Sequence, residues 1–143
     1  MSKETFRAAI TSEFDTEWAL AFPAVPVMYE NNRFAQPKTA WAAFEIMEVS
    51  STRAAVGTVK RFKRETGMIV VCIYVPENTG TKAGLQMLDK AIDIFEDRII
   101  PLPDGESVTF YAGKTDKGGL KNGYYEMTAL IPYRRDMSKP AAV

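Results

Sequence analysis

Near the start of the chain Phe6, Ile10, Phe14 and Trp18 recur every fourth residue, with Lys3, Glu4, Arg7, Glu13 and Asp15 between them. That spacing places the four on one face and predicts an amphipathic helix over residues 3–16, with Ser2 as N-cap. The stretch FPAVPVMYENNRFAQPKTAW that follows is rich in proline and holds an Asn-Asn pair. It is expected to be mostly connection, with a short extended piece at residues 27–29. From Trp41 to Val49 the pattern changes to period two: Ala42, Phe44 and Ile46 define one face, and Trp41, Ala43, Glu45 and Met47 the other. A strand is predicted there, and residues 52–58 are expected to begin another.

The segment KRFKRETG leads into seven consecutive apolar residues, Ile69 to Val75, closed by Pro76. One long strand from about Lys60, kinked near Gly67, is preferred over a hairpin at residues 65–67. After turn-forming ENTGTKAG, with Thr79 or Thr81 as cap, Leu85, Leu88, Ile92, Phe95 and Ile99 step by four, three, four and three. These predict a second helix over residues 82–97, stopped by PLPDG. SVTFYAG (107–113) and YYEMTALIPY (124–133) are predicted strands, joined as a long hairpin by the Gly/Lys-rich loop GKTDKGGLKNG. DMSKPAAV, residues 136–143, is expected to be a loose tail.

Two helices among runs of strands predict one α+β domain spanning residues 1–143, built on a mainly antiparallel sheet. The run from Ile69 to Val75 does not alternate, as a strand with one wet face should. In YYEMTALIPY, Tyr125, Met127, Ala129 and Ile131 form an apolar face, whereas Tyr124, Glu126 and Thr128 form an amphipathic one. Such a mixed aromatic face suits a protein–protein contact. Both helices are therefore expected mostly on one face of the sheet, with a neighbouring subunit against part of the other.

Composition narrows the chemistry. The 143 residues hold 18 Lys plus Arg against 18 Asp plus Glu and no histidine. The balance of charge argues against a dedicated nucleic-acid binder. Without histidine the commonest general base and transition-metal ligand are both missing. The single cysteine, Cys72, lies in the apolar run, which fits a packing role in a reducing compartment. No stretch approaches a membrane span. The start, MSKETFRAAITSEF, lacks the apolar region of a signal peptide.

Gly113-Lys114-Thr115 resembles the end of a phosphate-binding loop, but Val108 stands where that motif needs glycine. Asp89, Asp93, Glu96 and Asp97 lie off the apolar stripe of the second helix, where a solvated surface outweighs a metal site. No catalytic, cofactor-binding or metal-binding residue is assigned. Charge is nevertheless unevenly spread. Residues 85–106 hold six acids against two bases, whereas KRFKRE and the segment with Lys114, Lys117, Lys121, Arg134 and Arg135 are basic. Such a spread is either ordinary solubilising charge or a pair of complementary poles that orient one copy against another, with a basic groove for DNA as the third reading.

Taken in order, VPVMYENNRFAQPKTAWAAFEIMEVSS, RETGMIVVCIYVPENTGTKAGLQMLDKAIDIF and GYYEMTALIPYRRD resemble the tail terminator-like proteins of long-tailed bacteriophages. The likeness lies in the order of features: an N-terminal helix, a Pro/Asn-rich loop, and a strand led by Trp41. A hydrophobic strand then ends at Pro76, Thr79-Gly80-Thr81 opens the main helix, and Tyr133-Arg134-Arg135 closes the last strand. It covers most of residues 10–136; residues 104–122 and those after 136 have no counterpart in it.

The resemblance implies a non-enzymatic subunit of the virion tail, assembled in the host cytoplasm. It would form a hexameric ring that caps the tail tube, ends its polymerisation and joins the head. Its implied partners are further copies of itself, the tail tube protein and head–tail connector proteins, with no membrane and no sequence-specific nucleic acid. Contacts are expected on long loops and basic segments: Asn32, Arg33, Phe34 and Gln36, then Arg61, Lys63 and Arg64, then Lys114, Lys117 and Lys121. The alternatives are a neck or head-completion protein of the same virion, and a small metal-dependent or DNA-binding α+β protein.

Overall fold

A computed structural model of the chain describes residues 3–30, 32–56 and 60–140. The first helix, α1 (Lys3–Ala21), buries Phe6, Ile10, Phe14 and Trp18, the four residues of the predicted stripe. It runs five residues past the expected end, because Trp18 continues the same buried face. Pro23 stops it, and the Phe22 amide closes the last turn on the Trp18 carbonyl at 2.7 Å. Ser2, the expected cap, lies outside the described residues.

Seven strands form one sheet: β1 (Val27–Tyr29), β2 (Trp41–Val56), β3 (Lys60–Pro76), β4 (Ile99–Pro101), β5 (Ser107–Phe110), β6 (Lys114–Lys121) and β7 (Tyr124–Pro140). Their spatial order is β1-β2-β3-β7-β5-β4, with β6 also on β7. All pairs are antiparallel except β1 with β2. The α+β class and the antiparallel sheet are as expected.

Several boundaries differ from expectation. The strand foreseen at residues 52–58 is the outer half of β2 as far as Val56, and residues 57–59 lie outside the described residues. Strand β3 is continuous from Lys60, as preferred, and keeps register with β7 straight through Gly67. The irregularity lies opposite, as a register shift in β2 between Glu48 and Ser50. The loop GKTDKGGLKNG is itself mostly strand β6, turned into β7 at Asn122-Gly123, where both residues have positive φ (51° and 83°). The long hairpin is therefore β6–β7, and β5 pairs with the far part of β7. Residues 136–140 are not loose: they are the end of β7, paired with residues 60–64 of β3. Strand β4 was hidden in the sequence because Ile99 and Ile100 continue the period of the preceding helix.

That helix, α2 (Lys82–Phe95), ends two residues early, and Asp97 follows at φ 56°. Thr81 is its N-cap position but makes no side-chain cap; Thr79 instead donates to the Pro76 carbonyl at 2.6 Å. Its buried face is Gly84, Met87, Leu88, Ala91, Ile94 and Phe95, so the stripe is turned from the predicted one and Leu85 is 47% exposed. Gly84 explains the turn. A Cβ there would lie 1.8 Å from Met127 Cε, so the bare backbone lets the helix settle onto β7.

Both helices pack on the same face of the sheet. Ala42, Phe44 and Ile46 of β2, Ile69, Val71, Ile73 and Val75 of β3, and Met127, Ala129, Ile131 and Tyr133 of β7 all join their core. Phe14 stacks between Phe44 (4.6 Å) and Trp18 (5.3 Å) at its centre. Each fully buried aliphatic or aromatic side chain contributes roughly 1.5–3 kcal/mol, so this layer is the main apolar contribution to the fold. At the β1 edge, Glu30 replaces a ladder carbonyl by accepting the Ile46 amide at 2.7 Å and Arg7 at 2.8 Å. Beyond Ile46, β2 has no neighbour on that side among the described residues.

Candidate functional site

No helix among the described residues lies on the second face of the sheet, so its side chains form the candidate site. Register places Trp41 of β2 beside Tyr74 of β3, with Tyr124 at the start of β7 opposite Pro76. Trp41 and Tyr74 stack at 4.1 Å and 15°, Tyr124 meets Trp41 edge-on at 6.3 Å, and Phe34 folds in from the loop at 5.2 Å. The Tyr124 hydroxyl donates to the Pro37 carbonyl and straps residues 32–37 against the sheet. Burial, with the Glu126 carboxylate accepting its hydroxyl, pushes Tyr74 above the usual phenol range.

Between these rings and the β6–β7 turn lies a notch of about 150 Å³, lined by Gln36, Trp41, Tyr74, Lys121, Asn122 and Tyr124. Trp41 is only 8% exposed, and its indole N–H has no acceptor among the described residues. Further along the face Met47 and Val49 are 42% and 60% exposed. Charge succeeds them: Arg64 donates to Asp136 at 2.8 Å, and Arg134 approaches the same carboxylate at 4.0 Å. Arg64 holds the Asp136 carboxyl below its ordinary range.

On the helix side, where the sheet passes beyond α1, a charged cluster is sealed. Glu65 is 3% and Arg135 1% exposed. Arg135 donates to both Glu65 oxygens (3.2 and 3.4 Å), and the Tyr133 hydroxyl donates to Glu65 at 2.9 Å. The Phe6 ring lies 4.2 Å from the Arg135 guanidinium carbon. Arg135 therefore belongs to the interior and not, as its sequence neighbourhood suggested, to a solvated basic pole.

Cys72 is half-buried on the uncovered face beside Thr128, and burial pushes its thiol above the ordinary range. Alkylation by iodoacetamide at pH 8 is expected to be at least roughly tenfold slower than for a free thiol. A rate matching glutathione would show an accessible sulfur of ordinary acidity. Among the described residues no three acids, cysteines or histidines gather as a metal set. Glu96 is instead structural, accepting the Gly113 amide at 2.6 Å.

The residues singled out from sequence fall at two ends of the sheet. Gln36 and Lys121, 85 residues apart in the chain, both line the notch, and Phe34 packs on its Trp41 wall. Asn32 lines a separate cavity of about 200 Å³ with Arg7 and Glu30, and Arg33 is exposed. Lys63 and Arg64 lie at the far end, on opposite faces because successive strand residues alternate. Lys114 of β6 pairs with Leu130 midway along β7, and the side chains of Arg61 and Lys117 lie outside the described residues. Trp41, Tyr74 and Tyr124 were not singled out as site residues. Their common face follows from alternation within each strand, but their adjacency follows only from strand pairing.

A family model described as phage tail terminator protein matches residues 5–131. No curated protein matches. One solved structure superposes with a TM-score of 0.74 at 18% sequence identity, covering 94% of this chain and 96% of the other. At that identity the likeness concerns the fold alone.

Proposed function

Since the chain belongs to the phage tail terminator family, a family of structural tail proteins, we propose that it caps the tail tube as a ring, ends tube polymerisation and presents the surface that joins the head. The observation that carries this reading is the one-sided architecture. Helices cover one face of the sheet, while no helix among the described residues covers the other, where Met47 and Val49 are exposed further along from the Trp41–Tyr74 stack. Where one face of a copy meets a different face of the next, the contact is heterologous, and such contacts close into rings when the rotation between copies permits. Six copies per ring, the tube protein and head–tail connector proteins as partners, and assembly in the host cytoplasm belong to the same proposal.

Adding the purified chain to polymerising tail-tube subunits is expected to shorten the tubes and leave a ring at one end in electron micrographs. Tube lengths unaffected by a stoichiometric excess would overturn capping. Binding to portal-side proteins alone would assign the chain to the neck instead. Reversing charge at Arg61 and Lys63 together is expected to weaken assembly or capping, because like charges brought together at an interface are strongly disfavoured. Wild-type capping by that double variant would remove this end of β3 from the contact.

A further inference from the structure

We propose that the aromatic notch at the Trp41 end of the sheet is a socket for the β4–β5 turn of a second copy, taking Pro103 and Asp104. This rests on the reading of the protein as a self-assembling tail component and names one of its contacts. The notch is built around donors. The Trp41 indole N–H is buried without an acceptor, and leaving such a donor unmade is costly. Lys121 at the rim is exposed and forms no ion pair among the described residues, and Gln36 and Asn122 add amides. The Tyr124 hydroxyl, which donates to Pro37, is not the acceptor of this indole N–H either. Flat aromatic walls with an unpaired indole N–H behind them, and an exposed ammonium at the rim, suit a carboxylate carried beside a compact apolar ring.

The β4–β5 turn presents that combination. Buried Leu102 anchors it, its amide bonding the Glu106 carbonyl at 2.7 Å, while Pro103 and Asp104 stay exposed. Gly105 at φ 88° and the Glu106 amide on Asp104 Oδ1 (3.0 Å) preform the turn. The exposed carboxylates of α2, by contrast, stand on a helix too broad to enter a space of about 150 Å³.

Topology decides between self and sister. Tyr124 begins β7 at the notch, whereas β5 reaches β7 at Arg135, next to the turn. Eleven residues of strand hold the two about 40 Å apart, so no copy fills its own notch. A plug at one end and a socket at the other make a heterologous contact, as ring closure requires.

The test is a charge swap in the full chain, read by sedimentation velocity and by tube capping. Lys121→Glu and Asp104→Lys are each expected to weaken self-association about tenfold or more, and the double swap in one chain to recover most of the loss. Trp41→Phe, which keeps a ring but removes the N–H, is expected to weaken it about threefold. Unaltered thermal midpoints of the two reversals check that the fold is intact. Wild-type assembly by both reversals, or a Lys121→Glu defect that Asp104→Lys fails to rescue, would overturn the contact while leaving capping in place. A wild-type chain that neither self-associates nor caps tubes would overturn both.

Discussion

Replacing Glu65 by alanine is expected to destabilise the fold by about 3–5 kcal/mol, the usual cost of stranding one partner of a sealed ion pair. Arg135, 1% exposed, would lose the carboxylate it is hydrogen-bonded to among the described residues, and Tyr133 would lose its acceptor. Compensation is poor: the neighbouring Glu48 carboxylate is paired with Lys3 at 2.9 Å, Phe6 covers the guanidinium with a ring face, and Arg135 Nη1 already lacks a partner among the described residues. For a chain of this size the thermal midpoint should fall by roughly 10 °C. The control is the joint replacement Glu65→Leu with Arg135→Met, which removes both charges and is expected to recover much of the loss. Urea denaturation of the three proteins measures it. A loss under about 1 kcal/mol for Glu65→Ala would mean that water reaches the pair after all.

Gly67→Val is expected to cost about 3 kcal/mol, at the upper end for overpacking. A Cβ at Gly67 would lie 2.2 Å from the Met47 carbonyl oxygen and 2.7 Å from two atoms of the Tyr133 ring. Backbone cannot rotate away as a side chain can, and Tyr133 is held by its bond to Glu65. The same β-branched change at Gly105 would act differently, through strain at positive φ, since open space surrounds it. A Gly67→Val protein as stable as wild type by denaturant midpoint would show that β2 can yield here. The site coincides with the register shift between Glu48 and Ser50, so the glycine and the irregular strand are one adaptation.

These two sites show how far the chain could be read in one dimension. Gly67 was legible as a place where the strand is disturbed, because glycine inside an apolar extended run marks a close approach. That the disturbance would appear in β2 was not, since it depends on which strand lies alongside. Glu65 and Arg135 were legible only as members of two basic clusters. Neither the KRFKRE segment nor the Tyr-Arg-Arg ending distinguishes an interior charge from a solvated one. Likewise the Gly/Lys-rich composition of residues 113–122 spoke for a loop, and pairing with β7 overrode it.

What the sequence determined by itself is whatever repeats within a few residues. The stripe of α1, the existence of α2, the face of Ala42, Phe44 and Ile46, and the unbroken apolar strand all follow from side-chain direction along a local backbone. Those elements already pointed to an α+β sheet with its helices mostly on one side. Only the tertiary structure decided which strands became neighbours. It thereby buried Arg135 on Glu65, seventy residues away, and assembled the notch from residues as distant as Gln36 and Tyr124. Ladder bonds between strands are made by backbone groups common to all residues, so partner choice is settled by the packing of the whole sheet.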